Sequence, residues 1–411
     1  MSSTHVAQDA EHAATRRPAR VLFVHPSDEL YGSDLSLLNM LRGLDRGRFE
    51  PLVALANDVA YEGALSRELA AAGIECRHLD LAVARRQYLT PLGLAGFLRR
   101  LRASSRMLAR LIRDEHIELV HTNTLAVWSG ALAARRAGRP HIWHIQEQLE
   151  RPRPLRLFLQ RFVPAHSAHV VGVSQAVLDS ILVTPEARAK SSVIYNAVAP
   201  EAWMAAAGRE RIRVELGCGP DDVLLGMVAR VSRMKGTDLC VRAVADLLAA
   251  HPRLHCFIAG GPVPGQSEML DHVRELIAAS PAPDRIHLLG LRRDAPDLMA
   301  AMDALVAPSR YGEGASLTII QAMFTGKPVV ASDLGGNLEL VADGETGSIV
   351  PNEDVAALAA AITRLAADPD LRAAMGRAGR ERALRLFTVE RQVSSFNALL
   401  AATCPAPAAA S

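Results

Sequence analysis

Apolar runs of strand length recur along this chain, and helical patterns separate them. In the first half the candidate strands are RVLFVH (Arg20 to His25), Leu52 to Ala56, Ile74 to Leu79, Ile117 to His121, His141 to Ile145, His169 to Val173 and Ser192 to Tyr195, of which Ile74 to Leu79 (IECRHL) is the polar one. In the second half they are Val223 to Ala229, Leu254 to Gly261, Arg285 to Gly290, Ala304 to Ala307 and Pro328 to Ser332. A continuous apolar run marks a strand covered on both faces, as in a parallel sheet. Strands separated by helices are joined by crossovers, which parallel pairing requires. The pattern predicts an α/β fold of two Rossmann-like, doubly wound parallel sheets. A chain of 411 residues, 49% of them hydrophobic, is long and apolar enough to build two cores.

The boundary falls near residue 200, giving units at 20–200 and 201–386 joined through a loose linker, 200–222, with one short helix. Residues 1–19 read as a disordered polar arm and 403–411 as an Ala/Pro tail. A last helix spans 387–402.

Composition excludes several functions. Aromatics are 4% of the chain, too few for a nucleic-acid stacking platform. No G-x-G-x-x-G and no Gly-Lys-Ser/Thr follows the first strand, so the dinucleotide fingerprint and the P-loop are both missing. The five cysteines are odd in number and form no C-x-x-C, as in a reducing, cytoplasmic compartment. No His/Cys cluster has metal-ligand spacing, and Asp368-Pro369-Asp370 reads as a turn, so no metal or other cofactor is expected. The first 19 residues lack an apolar signal core, and no run approaches the roughly 18 residues of a spanning helix.

The richest chemistry lies between Ser309 and Pro351. Tyr311-Gly312-Glu313-Gly314-Ala315 is a loop whose glycines allow backbone to approach a ligand closely. Ser316 is a natural N-cap for a helix from Leu317 to about Thr325, and Gly326 and Pro328 stop it. A helix N-terminus favours phosphate. Glu313 and Gln321 stand on the order of 10 Å apart on either side of that terminus, at roughly 1.5 Å rise per residue. Upstream, Arg230 and Lys235-Gly236 follow the first strand of the second unit. Arg grips phosphate oxygens as a fork and Lys acts as a point charge.

These residues resemble the signature of retaining glycosyltransferases of the GT-B fold, in particular glycosyltransferase family four. The family shows a Glu, seven residues and a second Glu; here these are Glu313 and Gln321. It continues with an Ala-Met helix end (Ala322, Met323), Gly-x-Pro-Val (Gly326 to Val329), Gly-Gly (Gly335, Gly336) and Asp-Gly-x-Thr-Gly (Asp343 to Gly347). It also has an Arg, four residues and Lys-Gly, matched by Arg230 and Lys235-Gly236. The resemblance implies a donor nucleotide-diphosphate sugar, a hydroxyl acceptor and retention of configuration. By it, Arg230 and Lys235 bind the diphosphate. Glu313 holds the sugar, with Gly314, Ala315, Ser316 and Leu317 around it. The Gln321 position binds the ribose, and Gly290 and Leu291 flank the base. In the first unit Gly32 is placed for the phosphates and His144 toward the donor sugar, while Ser33, Asn123 and Glu147 lie on the acceptor side. The last helix is implied to cross back to the first unit. Gln321 departs from the pattern: an amide offers a ribose diol one carbonyl and one NH2 where a carboxylate accepts two strong bonds.

Two other readings stay open. One is a non-catalytic nucleotide-sugar binder or partner subunit, favoured by Gln321 alone. The other is a nucleotide-sugar epimerase, which needs a carboxylate pair facing the sugar, and no such pair can be placed. Residues 1–200 carry a net charge of +6 and the remainder −4. The basic amphipathic segment 91–114 and the proline-interrupted segment 151–161 suggest contact with an anionic membrane surface or a lipid-linked acceptor. Such contact would make the protein peripheral on the inner membrane face.

Overall fold

The structure is a computed structural model that describes residues 17–85, 91–149, 152–262 and 267–404. The first sheet comprises β1 (Ala19–His25), β2 (Phe49–Ala56), β3 (Glu75–Leu79), β4 (Leu119–Asn123), β5 (His141–Ile145), β6 (His169–Gly172) and β7 (Ser191–Val193), in the order β3-β2-β1-β4-β5-β6-β7. The second comprises β8 (Val223–Val228), β9 (Leu254–Ala259), β10 (Ile286–Gly290), β11 (Ala304–Ala307), β12 (Val329–Ser332) and β13 (Gly347–Val350), in the order β10-β9-β8-β11-β12-β13. Every pairing is parallel. In each sheet the chain winds outward one way from its first strand and then the other. The reversal falls between β1 and β4, and again between β8 and β11. At such a reversal a crevice opens beyond the strands' carboxyl ends.

Both faces of the inner strands are covered, which is why they read as apolar runs; the edge strand β3 is partly exposed and carries Glu75, Arg77 and His78. Along β1, Val21 and Phe23 join a core with Phe396 and Leu400, while Leu22 and Val24 join another with Leu108 and Ile112. Phe396 and Leu400 belong to the helix Val389–Thr403, which lies on the helix Gly32–Arg42 of the first sheet. Gln392 Nε2 donates to Ser36 Oγ at 3.0 Å, and Asn397 Nδ2 to the Gly43 carbonyl at 3.1 Å. The chain that completes the second unit is thereby anchored on the first. A second tie runs through Glu339. Its carboxylate accepts from the backbone N–H of Gln175 and Ala176, each at 2.9 Å, and from the Tyr195 hydroxyl at 3.0 Å.

Several local expectations are corrected. The linker holds two helices, Glu201–Met204 and Arg209–Glu215. Arg213 fixes the second: buried, it donates to Asp303 at 3.1 Å and to the carbonyls of Gly219 and Asp222 at 2.8 and 2.6 Å. The basic proline-containing segment is a helix, Arg153–Ala165, because Pro154 sits in its first turn, where the missing N–H is harmless. Asp368 is an N-cap rather than part of a turn, accepting from Leu371 N at 2.8 Å. Strand β1 begins at Ala19, inside the expected arm; residues 1–16 of that arm, Arg151, and residues 405–411 of the tail lie outside the described residues.

Candidate active site

The carboxyl ends of β8 and β11 meet the loop Ser309 to Ser316. Gly236 has φ +69, and a Cβ there would come within 1.9 Å of the Pro308 carbonyl, so only glycine fits. That close approach delivers Lys235 to Glu313: Nζ lies 2.6 Å from Oε2. Ser309 Oγ donates to the same oxygen at 2.8 Å, which leaves Oε1 for a ligand hydroxyl. Glu313 is 5% exposed. Burial works to raise its pKa, but the Lys235 charge and the bonds from Lys235 and Ser309 hold it below the ordinary carboxylate value. The carboxylate is therefore ionised and fixed.

Arg230 is exposed, its guanidinium 5.3 Å above the Tyr31 ring, across the crevice between the two units. The helix Leu317–Phe324 starts beside these groups. Ser316 is its N-cap residue and is buried, but its hydroxyl makes no capping hydrogen bond, contrary to expectation. Ala315 is buried, and Leu317 reaches across the crevice toward Gly32, with Cδ1 3.6 Å from where a Gly32 Cβ would stand. At Gly314 a Cβ would lie 2.3 Å from the Gln146 carbonyl, so the two units touch backbone to backbone there. Gln321 is half-buried, and among the described residues its side-chain amide has no hydrogen-bond partner. Gly290 ends β10, and its carbonyl accepts from Gly260 N at 2.7 Å. Gly260 in turn abuts the Ala229 carbonyl, next to Arg230. Leu291 is 80% exposed.

The first unit behaves differently. Asn123 is buried at the end of β4 and saturated. Its Nδ2 donates to the Ser33 carbonyl and approaches His25 Nδ1, both at 3.1 Å, and its Oδ1 accepts from Gln146 Nε2 at 3.0 Å. His25 Nε2 lies 2.6 Å from Asp34 Oδ1, and Ser27 Oγ also donates to Asp34. Asp34 Oδ2 accepts from Tyr31 N at 2.9 Å, so this aspartate reaches back over the start of the Gly32–Arg42 helix instead of capping it from in front. Ser33 contributes its carbonyl to this network. Glu147 is half-buried, accepts from Leu125 N at 3.0 Å, and its carboxyl is pushed up by burial.

His144 is placed away from the crevice. It is 0% exposed, its ring stands edge-on to His121 at 5.5 Å, and neither ring nitrogen has a partner among the described residues. Burial lowers its pKa to about 3. The expectation that it reaches toward a donor sugar is corrected: it lies on the covered face of β5. Gln146, just past the strand's end, occupies the crevice instead, with a buried Oε1 that lacks a partner among the described residues. Gln146 and Tyr31 are the contacts that sequence reading missed. Tyr31 was legible as the aromatic before Gly32. Gln146 had no signal beyond its place after the strand. Among the described residues one trio of potential metal ligands assembles, Cys218, His255 and His287, near the amino ends of β9 and β10 rather than at this crevice.

Residues 208–382 match the family model Glycosyl transferases group 1, and residues 31–202 match Glycosyltransferase Family 4. A lipopolysaccharide core biosynthesis mannosyltransferase of Rhizobium meliloti is 30% identical over 64% of this chain and 80% of its own length. A second such mannosyltransferase, from Rhizobium leguminosarum bv. viciae, is 37% identical over 44% of this chain, which spans about half (51%) of it. A D-inositol 3-phosphate glycosyltransferase of Streptomyces avermitilis is 32% identical over 65% of this chain and 61% of its own length. In fold, the chain is similar to Anabaena HepE, solved in complex with UDP and glucose, with TM-score 0.77 and 24% identity over 93% of this chain and 100% of that one. A glycosyltransferase of Rickettsia africae gives the same TM-score, 0.77, at 20% identity over 93% and 98%. With two parallel-sheet units facing one crevice and both halves matched, the chain belongs to glycosyltransferase family 4 and is a glycosyltransferase of the GT-B type.

Proposed function

We propose that this protein moves a hexose from a nucleotide-diphosphate sugar to a hydroxyl acceptor with retention of configuration, in the synthesis of a bacterial-type polysaccharide, glycolipid or glycoconjugate. The observation that carries this reading is the pair of half-buried Lys235 and buried Glu313 at the head of the Leu317–Phe324 helix, with exposed Arg230 beside it. When the bond between sugar and phosphate breaks, negative charge grows on the leaving oxygen, and fixed donors stabilise it. Lys235 has three donors and spends one on Glu313, leaving two for phosphate oxygens. Arg230 supplies a second cation, and the helix N-terminus a third positive field. Glu313 Oε1 would accept from a sugar hydroxyl and fix the ring over the phosphate. The acceptor attacks from the same face and gives its proton to the departing phosphate, so no protein base and no bound metal is required. The mannosyltransferase and inositol-phosphate relatives and the UDP and glucose in HepE support this donor class.

The test is a panel of nucleotide-diphosphate sugars, scored for thermal stabilisation of the protein and for nucleotide release. One donor that both stabilises and turns over is the expected result. Stabilisation without release, even with acceptors present, would favour a non-catalytic binder.

The acceptor side bears on membranes. Among the described residues no helix is long and apolar enough to cross one. The helices Pro91–Asp114 and Arg153–Ala165 are bridged by Trp128, whose ring lies 5.2 Å from Phe97 and 5.3 Å from Phe158. Leu92 is 89% exposed, and Leu94, Leu98, Leu157 and Phe158 are exposed too, among Arg99, Arg102, Arg153 and Arg161. Apolar tips set in a field of arginines suit an anionic bilayer. We expect vesicles containing phosphatidylglycerol to sediment the protein and purely zwitterionic vesicles not to; equal binding would remove this part of the proposal.

A further inference from the structure

Strand register in the second sheet brings two histidines together. His255 on β9 pairs with Leu224, and His287 on β10 pairs with Phe257, two residues beyond His255 and so on the same face. The two rings are stacked, with centroids 5.9 Å apart and planes 3° from parallel. The turn after the Arg209–Glu215 helix lays Cys218 over the same spot. One ligand atom from each of the three lies within 4.8 Å of the others.

Their hydrogen bonding is incomplete in a particular way. His255 Nδ1 and His287 Nε2 are buried and have no partner among the described residues. Cys218 is buried, and its Sγ reaches only the Leu216 carbonyl, at 3.7 Å. Buried polar atoms without partners are uncommon, and two of them beside a thiol make a donor set. On the far side of His255, Asp222 Oδ2 faces Nε2 at 3.6 Å and is itself held by Gly219 N at 2.6 Å. At that separation, longer than a hydrogen bond, the carboxylate acts through space: its charge favours a proton on Nε2 and leaves the lone pair on Nδ1. Two cations lie nearby: Arg213 is matched by Asp303, and Arg285 donates to the carbonyls of His251 and Leu248.

We propose that Cys218, His255 and His287 bind one Zn²⁺, or another borderline-soft divalent cation, through three protein ligands, with water in the fourth position. One thiolate and two imidazoles suit a tetrahedral ion of this class. Burial keeps both imidazoles below their ordinary pKa, so they are neutral at pH 7 with lone pairs available. Burial also holds the Cys218 thiol up, to about 11. Binding a cation converts it to thiolate and releases one proton to solvent. The ion would pin the segment that enters the second sheet onto β9 and the edge strand β10. That position, near the amino ends of the strands, lies away from the crevice, so the ion acts on stability and not on sugar transfer.

The test is titration of the metal-free full chain with Co²⁺. The expected result is one equivalent bound, with thiolate-to-cobalt charge-transfer absorption and the visible bands of a tetrahedral ion, displaced by Zn²⁺. Cys218→Ser should lose the charge-transfer band. His287→Gln should weaken binding at least tenfold, and Cys76→Ser should change neither. A band that is absent from the wild type, or that persists in Cys218→Ser, overturns the proposal. X-ray absorption of the Zn²⁺-loaded wild type needs no variant: one sulfur with two imidazoles sustains the site, and a shell of oxygen alone overturns it.

Discussion

The two halves of this molecule share one winding, yet the reversal points of their sheets carry opposite chemistry. At β8/β11 the side chains are held for a ligand. Arg230 stacks on Tyr31 but pairs with no carboxylate among the described residues, and Glu313 keeps one oxygen unclaimed. At β1/β4 most polar groups are spent on one another: Asn123, His25, Asp34 and Ser27 form a web that Gln146 joins through Nε2, its Oε1 alone unclaimed among the described residues. A sheet reversal supplies a crevice, not a site. The crevice becomes a phosphate site where charge is left over after the fold has been satisfied.

The largest effect that could break this contrast is on the open side. Lys235→Ala should lower the transfer rate by about two to three orders of magnitude, the usual size for losing one fixed donor to transition-state charge. A loss of under tenfold in a folded variant would show that the diphosphate is held elsewhere. On the closed side the prediction is stability, not rate. Asp34→Ala takes the carboxylate away from His25 Nε2 and leaves the Tyr31 N–H unpaired, and should cost about 3 kcal/mol in urea unfolding. Burial acts to raise the Asp34 pKa, but His25, Ser27 and the Tyr31 N–H outweigh it and leave it lowered. Its contribution is therefore present above about pH 4 and is lost as pH falls through that range.

The buried histidines sharpen the same point. His141 and His144 have folded pKa values of about 3 against about 6.5 in the unfolded chain. Between those values the unfolded chain binds the protons and the folded one does not. Stability should fall as pH falls below about 6.5, by roughly 1.4 kcal/mol per pH unit for each histidine. His144→Leu should remove one proton from that slope and leave kcat within about threefold. A large loss of kcat with the slope intact would return His144 to the donor. The smallest effect expected is at Gln321. Gln321→Glu should tighten nucleotide binding about fivefold, roughly 1 kcal/mol, since charge-assisted bonds to a ribose exceed neutral ones by about that much. An unchanged affinity in calorimetry would place the ribose away from residue 321.

The sequence by itself determined the architecture and the charged side of the crevice. Short apolar runs without alternation, each bounded by turn residues and separated by helical patterns, point to strands covered twice, and Lys235-Gly236 and Glu313-Gly314 announce themselves because glycine marks where backbone must come close. Tertiary structure alone decided which neighbours of those strands face the ligand. Both faces of a doubly wound sheet are buried, so alternation does not separate crevice from core. His144, inside β5, turned into the core, while Gln146, past its end, entered the crevice. Only folding could assemble Cys218, His255 and His287, since strand pairing, not spacing, makes them neighbours. Helix capping by Asp368 and the start of the Arg153–Ala165 helix at Pro154 were local facts that residue type allowed in more than one way. The helix Val389–Thr403 is amphipathic in sequence, but its partner, the helix Gly32–Arg42, is set by where the second unit ends in space.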